Sequence, residues 1–315
     1  MPFKLENYVS EIPFSYEPDS YGHFMKVDRV LFEGRSKYQS VKVINNKIFG
    51  NVLLLDGFFQ VSELDEHLYH EPLVQPAMFS HPNPKNVLIV GGGDGGALEE
   101  VLKHGTVERV VMVELDSEVV EISKKHLKSV CKDAFSDRRI KLVIDDGRKF
   151  VENTKEKFDV IIVDLTDPFG PSKMLYTKEF YTAVSNALTK DGILALHSES
   201  PLLAPKAFKV IIKTLKSVFK HVNVHLGFVN TYATVWSFAN ASNSIDVRKL
   251  SPDNMKQKCR ERGVKDLKYY APELYPNAFE VTNQIKKMLE EGAKISTDKN
   301  PLDVDAKLSN TGAVA

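Results

Sequence analysis

The chain is poor in cysteine: its 315 residues contain only Cys131 and Cys259, far apart and without the spacing of a metal-ligand set. Two such residues do not make a disulfide framework, and they read as ordinary thiols of a reducing compartment. Net charge is also missing, because 42 Lys and Arg balance 42 Asp and Glu. Nothing in that balance draws the protein to nucleic acid or to anionic lipid, where a basic excess is expected. There is no apolar run of 18 residues, no charged-then-apolar N-terminal pattern, no internal repeat and no low-complexity tract. A soluble, cytoplasmic protein is expected, with no membrane or nucleic-acid partner. What the chain does have is length and 43% hydrophobic residues, enough for one large domain and a smaller one.

The apolar pattern divides near residue 80. Phe24–Val27, Val41–Ile44 and Val52–Leu55 are short β segments separated by Glu33-Gly34, Asn45-Asn46 and Asp56-Gly57, which favours hairpins. Leu64–Ser80 has helical spacing and ends at His81-Pro82-Asn83-Pro84. The expected units are therefore an N-terminal β domain with a linking helix (1–80), a catalytic domain (81–291) and a loose tail (292–315). In the second unit, strands at 86–90, 109–114, 140–144, 158–163 and 192–197 alternate with helices at 96–104, 117–128, 178–189 and 205–219. Repeated βα units imply an α/β fold with a mostly parallel sheet covered on both faces. A closing pair near 221–228 and 232–239 has no helix between, which suggests an antiparallel edge. Residues 251–291 read as helical and polar.

Four motifs fall at strand ends, where open α/β sheets bind ligands. Leu88-Ile89-Val90 runs into Gly91-Gly92-Gly93-Asp94-Gly95-Gly96, and Gly91, Gly93 and Gly96 satisfy the dinucleotide fingerprint. Asp94 argues against a pyrophosphate, since like charges in a partly desolvated loop cost on the order of several kcal/mol. It suits a cation instead. Glu114 ends the second strand, where an acid binds ribose hydroxyls or caps a helix. Asp145-Asp146-Gly147 ends the third, and suits either an adenine amino group or an ordinary turn. Asp164-Leu165-Thr166-Asp167-Pro168-Phe169-Gly170-Pro171 ends the fourth. Its two acids, on a proline-stiffened loop, suit a polyamine-type cation and its proton; helix capping and, more remotely, a metal are the alternatives.

With these motifs in this order, the chain resembles the spermidine synthases, the polyamine aminopropyltransferases. The resemblance runs from about Gly22 to Phe238 and also takes in Tyr38-Gln39, Asp56-Gly57-Phe58-Phe59-Gln60 and Tyr69-His70-Glu71. It implies a Rossmann-like, methyltransferase-type doubly wound sheet behind a small N-terminal antiparallel β domain. It also implies transfer of an aminopropyl group from decarboxylated S-adenosylmethionine to putrescine, giving spermidine and 5′-methylthioadenosine. Gln39, Asp94, Glu114, Asp146, Gly147 and Pro171 then look like donor contacts. Tyr69, His70, Asp94, Asp164, Asp167, Gln60 and Tyr232 look like acceptor contacts, with Asp164 the proton acceptor. The resemblance implies no metal, no separate cofactor and a homodimer or homotetramer.

The donor has a sulfonium and an ammonium but no carboxylate, so Asp94 attracts it and repels ordinary S-adenosylmethionine. A methyltransferase would need room for that carboxylate. An NAD-linked oxidoreductase would need a hydride-handling set, and none accompanies the loop. A non-catalytic nucleoside or polyamine sensor is a further alternative. The chain departs from the family at Ala233, where a glycine or serine often follows the tyrosine. Glu199 either binds the far amine or is a solvated loop acid. Phe58, Phe59, Phe169 and Tyr176 either line a methylene groove or are core. Residues 168–176 are the candidate for a segment that closes over ligand.

Overall fold

A computed structural model describes residues 7–11 and 21–304. A two-stranded ribbon, β1 (Tyr8–Glu11) with β2 (His23–Lys26), leads into an antiparallel sheet in the order β3 (Arg29–Arg35), β4 (Ser40–Asn46), β5 (Gly50–Leu55), β6 (Phe58–Ser62). Alternation along β4 buries Val41 and Val43 on one side and Ile44 on the other, so this sheet carries apolar packing on both faces.

α1 (His67–Ser80) follows. Every residue from Tyr69 to Phe79 is buried, as suits a helix apolar on all sides. It packs on the second unit, against α2 (Gly96–Leu102) and the strands beyond. The expected linking helix thus belongs physically to the large domain, because its apolar surface has more to bury there than against the small sheet.

The large sheet continues with β7 (Asn86–Gly91), α2, β8 (Arg109–Glu114), α3 (Ser117–His126), α4 (Lys128–Cys131), β9 (Ile140–Ile144), α5 (Gly147–Asn153), β10 (Phe158–Asp164), α6 (Lys178–Ala187), β11 (Leu188–His197), α7 (Pro205–Lys216), β12 (His221–Val229) and β13 (Thr234–Ser242). Its order is β12-β13-β11-β10-β7-β8-β9; the five strands from β11 to β9 run parallel, and β13 and β12 close one side antiparallel. The chain winds outward from β7 through β8 to β9, then returns to β10 on β7's other side. The switch point therefore lies between β7 and β10, where Gly91 pairs with Asp164. Two apolar clusters, one on each face of the sheet, hold this scaffold rigid.

Two expectations need correction. Asp146-Gly147 is no ordinary turn, because Asp146 opens α5. The loose tail is not loose over residues 292–304. There the Ser296 N–H donates to Thr214 Oγ1 (3.0 Å) and Arg148 pairs with Asp298 at 2.6 Å. Lys173 meets Asp303 at 2.7 Å, and the Val304 N–H donates to the Pro168 carbonyl at 3.1 Å. These contacts are polar and join distant residues, so hydrophobic periodicity cannot reveal them. The rest of the expected tail lies outside the described residues. α8 (Pro252–Arg262), α9 (Tyr275–Ala278) and α10 (Asn283–Glu290) supply the helices expected over 251–291.

Candidate active site

At the β7 end, Gly91, Gly92 and Gly95 all take positive φ. At Gly91 this is obligatory, because a Cβ would stand 2.0 Å from the Asp164 carbonyl oxygen. Gly96, which opens α2, admits the His70 ring where a Cβ would lie 2.1 Å from it. The loop thereby turns Asp94 inward. Asp94 Oδ1 accepts the Gly96 N–H at 2.7 Å and faces His70 Nε2 at 3.4 Å. Burial alone would raise the Asp94 carboxyl, but His70 outweighs it and holds the group below the usual carboxylate range. Burial likewise opposes the charged form of His70, and Asp94 and Glu66 reverse that.

His70 is fully buried and stands behind Asp94, not among the cleft-lining residues. Its placement differs from the expected amine contact: α1 carries it into the core, where it orients Asp94.

Asp164 ends β10 beside this pair. Tyr69 donates its hydroxyl to Oδ1 at 2.9 Å, while the buried Oδ2 has no partner. Burial, then the neighbouring Asp94, pushes the Asp164 carboxyl up to about 6. A carboxyl of that kind is poised near neutrality to take a proton.

On the β8 side, Asp116 caps α3, accepting the Glu118 N–H. The helix-cap role weighed for Glu114 therefore falls to Asp116. Glu114 accepts the Asp116 N–H (2.8 Å) and lines the cleft, and burial raises its carboxyl to about 7. Asp116 also accepts from Ser36 Oγ (2.6 Å) and Gln39 Nε2 (3.0 Å), which fixes Gln39 at the cleft from the N-terminal sheet. Asp146 caps α5 through Lys149 N–H and, with Gly147, forms part of the cleft wall. Pro171 lines the wall opposite, on a loop held by Ser172 and by Arg148, which donates to the Met174 carbonyl at 2.8 Å.

The other wing holds Asp167, Gln60, Tyr232 and Glu199, all lining the cleft. Tyr232 donates to the Gln60 carbonyl at 2.6 Å and packs on Tyr69, ring centroids 6.0 Å apart. Ala233 takes φ +51° at the β12–β13 turn, the left-handed conformation that a glycine adopts without strain. Glu199 is buried at 2% exposure, so the solvated-loop reading fails. Phe58 and Phe169 pair at 5.7 Å and line the cleft, Phe59 lines it too, and Tyr176 is core. The pattern gave no sign of Glu11, His197 or Trp236, which also line the cleft. They converge only through the fold.

The cavity is about 540 Å³, of ligand-pocket size. Nine lining residues are acidic and one, Arg148, is cationic, and Arg148 is committed to Glu152 and Asp298. The net field therefore favours cations. Two groups, His70–Asp94–Asp164 and Asp167–His197–Glu199, have ligating atoms within 4.8 Å of one another. The carboxylates of these groups suit an ammonium nitrogen as well as a metal ion.

Residues 66–250 match the spermine/spermidine synthase domain, and residues 12–63 match the spermidine synthase tetramerisation domain. A polyamine aminopropyltransferase of Sulfurisphaera tokodaii is 39% identical over 286 residues, covering 90% of this chain and 95% of its own. A spermidine synthase crystal structure from Thermotoga maritima aligns with a TM-score of 0.83 at 39% identity, over 91% of this chain and 95% of that one. A spermidine synthase in complex with the transition-state analogue AdoDATO aligns at 0.84 and 40% identity, covering 91% and 96%.

Proposed function

Since the chain belongs to the spermine/spermidine synthase family and is a polyamine aminopropyltransferase, we propose that its donor is decarboxylated S-adenosylmethionine and its acceptor putrescine. Asp94 holds the donor's terminal ammonium. Gln39, Glu114, Asp146, Gly147 and Pro171 hold the thioadenosine part. Asp164 and Asp167, with Tyr69, Gln60 and Tyr232, receive the acceptor. The amine must first lose a proton, because a protonated amine has no lone pair. Asp164 takes that proton; Tyr69 does not, since burial raises its hydroxyl well above the ordinary tyrosine range.

The amine nitrogen then forms a bond to the propyl carbon attached to sulfur. The C–S bond breaks, its electron pair neutralises the sulfonium, and methylthioadenosine leaves with spermidine the other product. The sulfonium is itself the leaving group, so the scheme uses no metal and no redox cofactor. Alignment of nucleophile and donor supplies much of the acceleration as effective concentration.

The observation that carries this reading is the Asp94–Asp164 juxtaposition at the switch point, two acids facing one site from adjacent strand ends. Incubation with decarboxylated donor and a mixed panel of amines tests it. Equimolar methylthioadenosine and spermidine, with putrescine consumed first, is expected; donor cleavage that no amine accelerates would overturn it.

Among the described residues no helix is long and apolar enough to cross a membrane. We place the enzyme in the cytoplasm as a homodimer or homotetramer, assembled through the N-terminal sheet, whose β3 edge exposes Val30. Light scattering of the full chain measures that assembly.

A further inference from the structure

Glu66 stands at the N-terminus of α1, where an acid is expected to cap, yet its side chain makes no capping bond. Its carbonyl begins the helix ladder, accepting the Tyr69 and His70 N–H groups at 3.1 and 2.8 Å. The side chain turns instead to the next turn of the helix, where Oε2 meets His70 Nδ1 at 3.3 Å. Its other oxygen, Oε1, lies 3.4 Å from the Lys268 ammonium.

Glu71 sets Lys268 in that place. Its buried carboxylate accepts three successive backbone N–H groups, from Lys268 (2.6 Å), Tyr269 (2.9 Å) and Tyr270 (3.0 Å). Charge-assisted bonds of this kind fix the 268–270 segment against the turn of α1 that carries Tyr69 and His70.

The His70 ring thus has a carboxylate at each nitrogen, Glu66 at Nδ1 and Asp94 Oδ1 at Nε2, the latter 3.4 Å away. Nε2 makes no directed hydrogen bond and meets Asp94 as a charge. A neutral imidazole has a lone pair on one nitrogen, which here would face an anionic oxygen. Only the doubly protonated ring presents N–H to both acids. From the surface to the cleft the charges then alternate: Lys268 positive, Glu66 negative, His70 positive, Asp94 negative.

We propose that Glu66 is a positioning residue for the transfer: it holds His70 as an imidazolium and, through that ring, keeps Asp94 ionised and aimed at the donor's ammonium. The role at the donor rests on the aminopropyl-transfer reading above; the state of the ring does not. Glu66 is not among the cleft-lining residues, so its effect passes through His70. Burial disfavours its charge, but His70 and Lys268 prevail and hold its carboxyl down to about 2. The other charged groups around the ring are Asp94 ahead of α2 and Asp164 at the end of β10, with Lys268 and His67 beyond Glu66. Tyr69 packs edge-on to it at 5.2 Å.

The test follows the ring by NMR in ligand-free enzyme carrying isotope-labelled histidine, the His70 signal being the one lost in His70→Gln. The titration midpoint of His70 should fall by at least about one pH unit in Glu66→Gln. By calorimetry, Glu66→Gln should weaken the decarboxylated donor at least about fivefold and leave methylthioadenosine, which lacks the ammonium, within about twofold. On a His70→Gln background the same substitution should change donor affinity less than about twofold, because the ring that transmits it is gone. An unmoved midpoint overturns the proposal. So does an equal loss for both ligands, an unchanged donor affinity, or a full effect of Glu66→Gln without His70. A wild type that fails to bind the decarboxylated donor would sink the transfer reading, and the role at the donor with it, while the ring's charge would stand.

Discussion

Replacing Asp164 by Asn keeps the shape of the side chain and removes its charge and its basicity. In the structure Oδ1 accepts the Tyr69 hydroxyl and Oδ2 is bare, so the amide fits with one oxygen still toward Tyr69. Its NH2 then faces the position where the amine must lose a proton. A positioned base contributes about 10²- to 10⁴-fold, equivalent to about 3–5 kcal/mol of barrier. Turnover at saturating donor and putrescine should fall by that factor, while calorimetry with methylthioadenosine, which has no amine, changes less than threefold. The pH profile gives a second reading. The base works deprotonated, so wild-type kcat/KM should fall as pH drops through about 6, and Asp164→Asn should flatten the part of that limb that Asp164 contributes. Asp167 titrates in the same range, so some slope should persist. Retention of more than a tenth of wild-type turnover by Asp164→Asn, with the acid limb unchanged, would refute the assignment of the base.

Tyr69→Phe removes a hydrogen bond that favours the charged form of Asp164, so the acid limb should move to higher pH with little change in methylthioadenosine affinity; an unmoved limb contradicts the coupling. Asp94→Asn should weaken the decarboxylated donor at least tenfold and leave methylthioadenosine within a factor of three, because only the donor carries the ammonium; titration of both ligands checks it. Stability should depend on pH in a defined direction. Asp164, Asp167, Glu114 and Glu11 are pushed up to about 6, 6, 7 and 8, so the native state binds more protons than the unfolded chain between about pH 4 and 8. Each group's contribution is present below its unfolded value and is lost as pH rises through its folded value. The ligand-free Tm should therefore fall across that window, and Asp164→Asn should exceed the wild type by a few degrees more at pH 8 than at pH 4. A Tm difference independent of pH would contradict the burial argument.

The sheet was legible because parallel strands buried on both faces leave continuous apolar runs, and β7, β8 and β10 fall where those runs do. The glycine loop was legible because backbone geometry there tolerates few residues. α5 was missed because Asp-Gly signals a turn as readily as a helix start, and only the capping bond to Lys149 separates the two. His70 was recognised as a site residue, but its position behind Asp94 depends on how α1 packs, which its own sequence does not encode. Glu11, His197 and Trp236 have no motif at all. They line the same cleft as Asp167 because strand order sets β11 and β13 on β10's side of the sheet and the separate ribbon brings in Glu11.

The central claim is electrostatic: an acid-lined cleft selects a donor bearing two positive charges and no carboxylate. Calorimetric titration of the enzyme with decarboxylated S-adenosylmethionine and with S-adenosylmethionine itself tests it most directly. The account predicts at least about 100-fold tighter binding of the decarboxylated form, since the added carboxylate meets Asp94 and Asp164. Equal or tighter binding of the carboxylated form would contradict it.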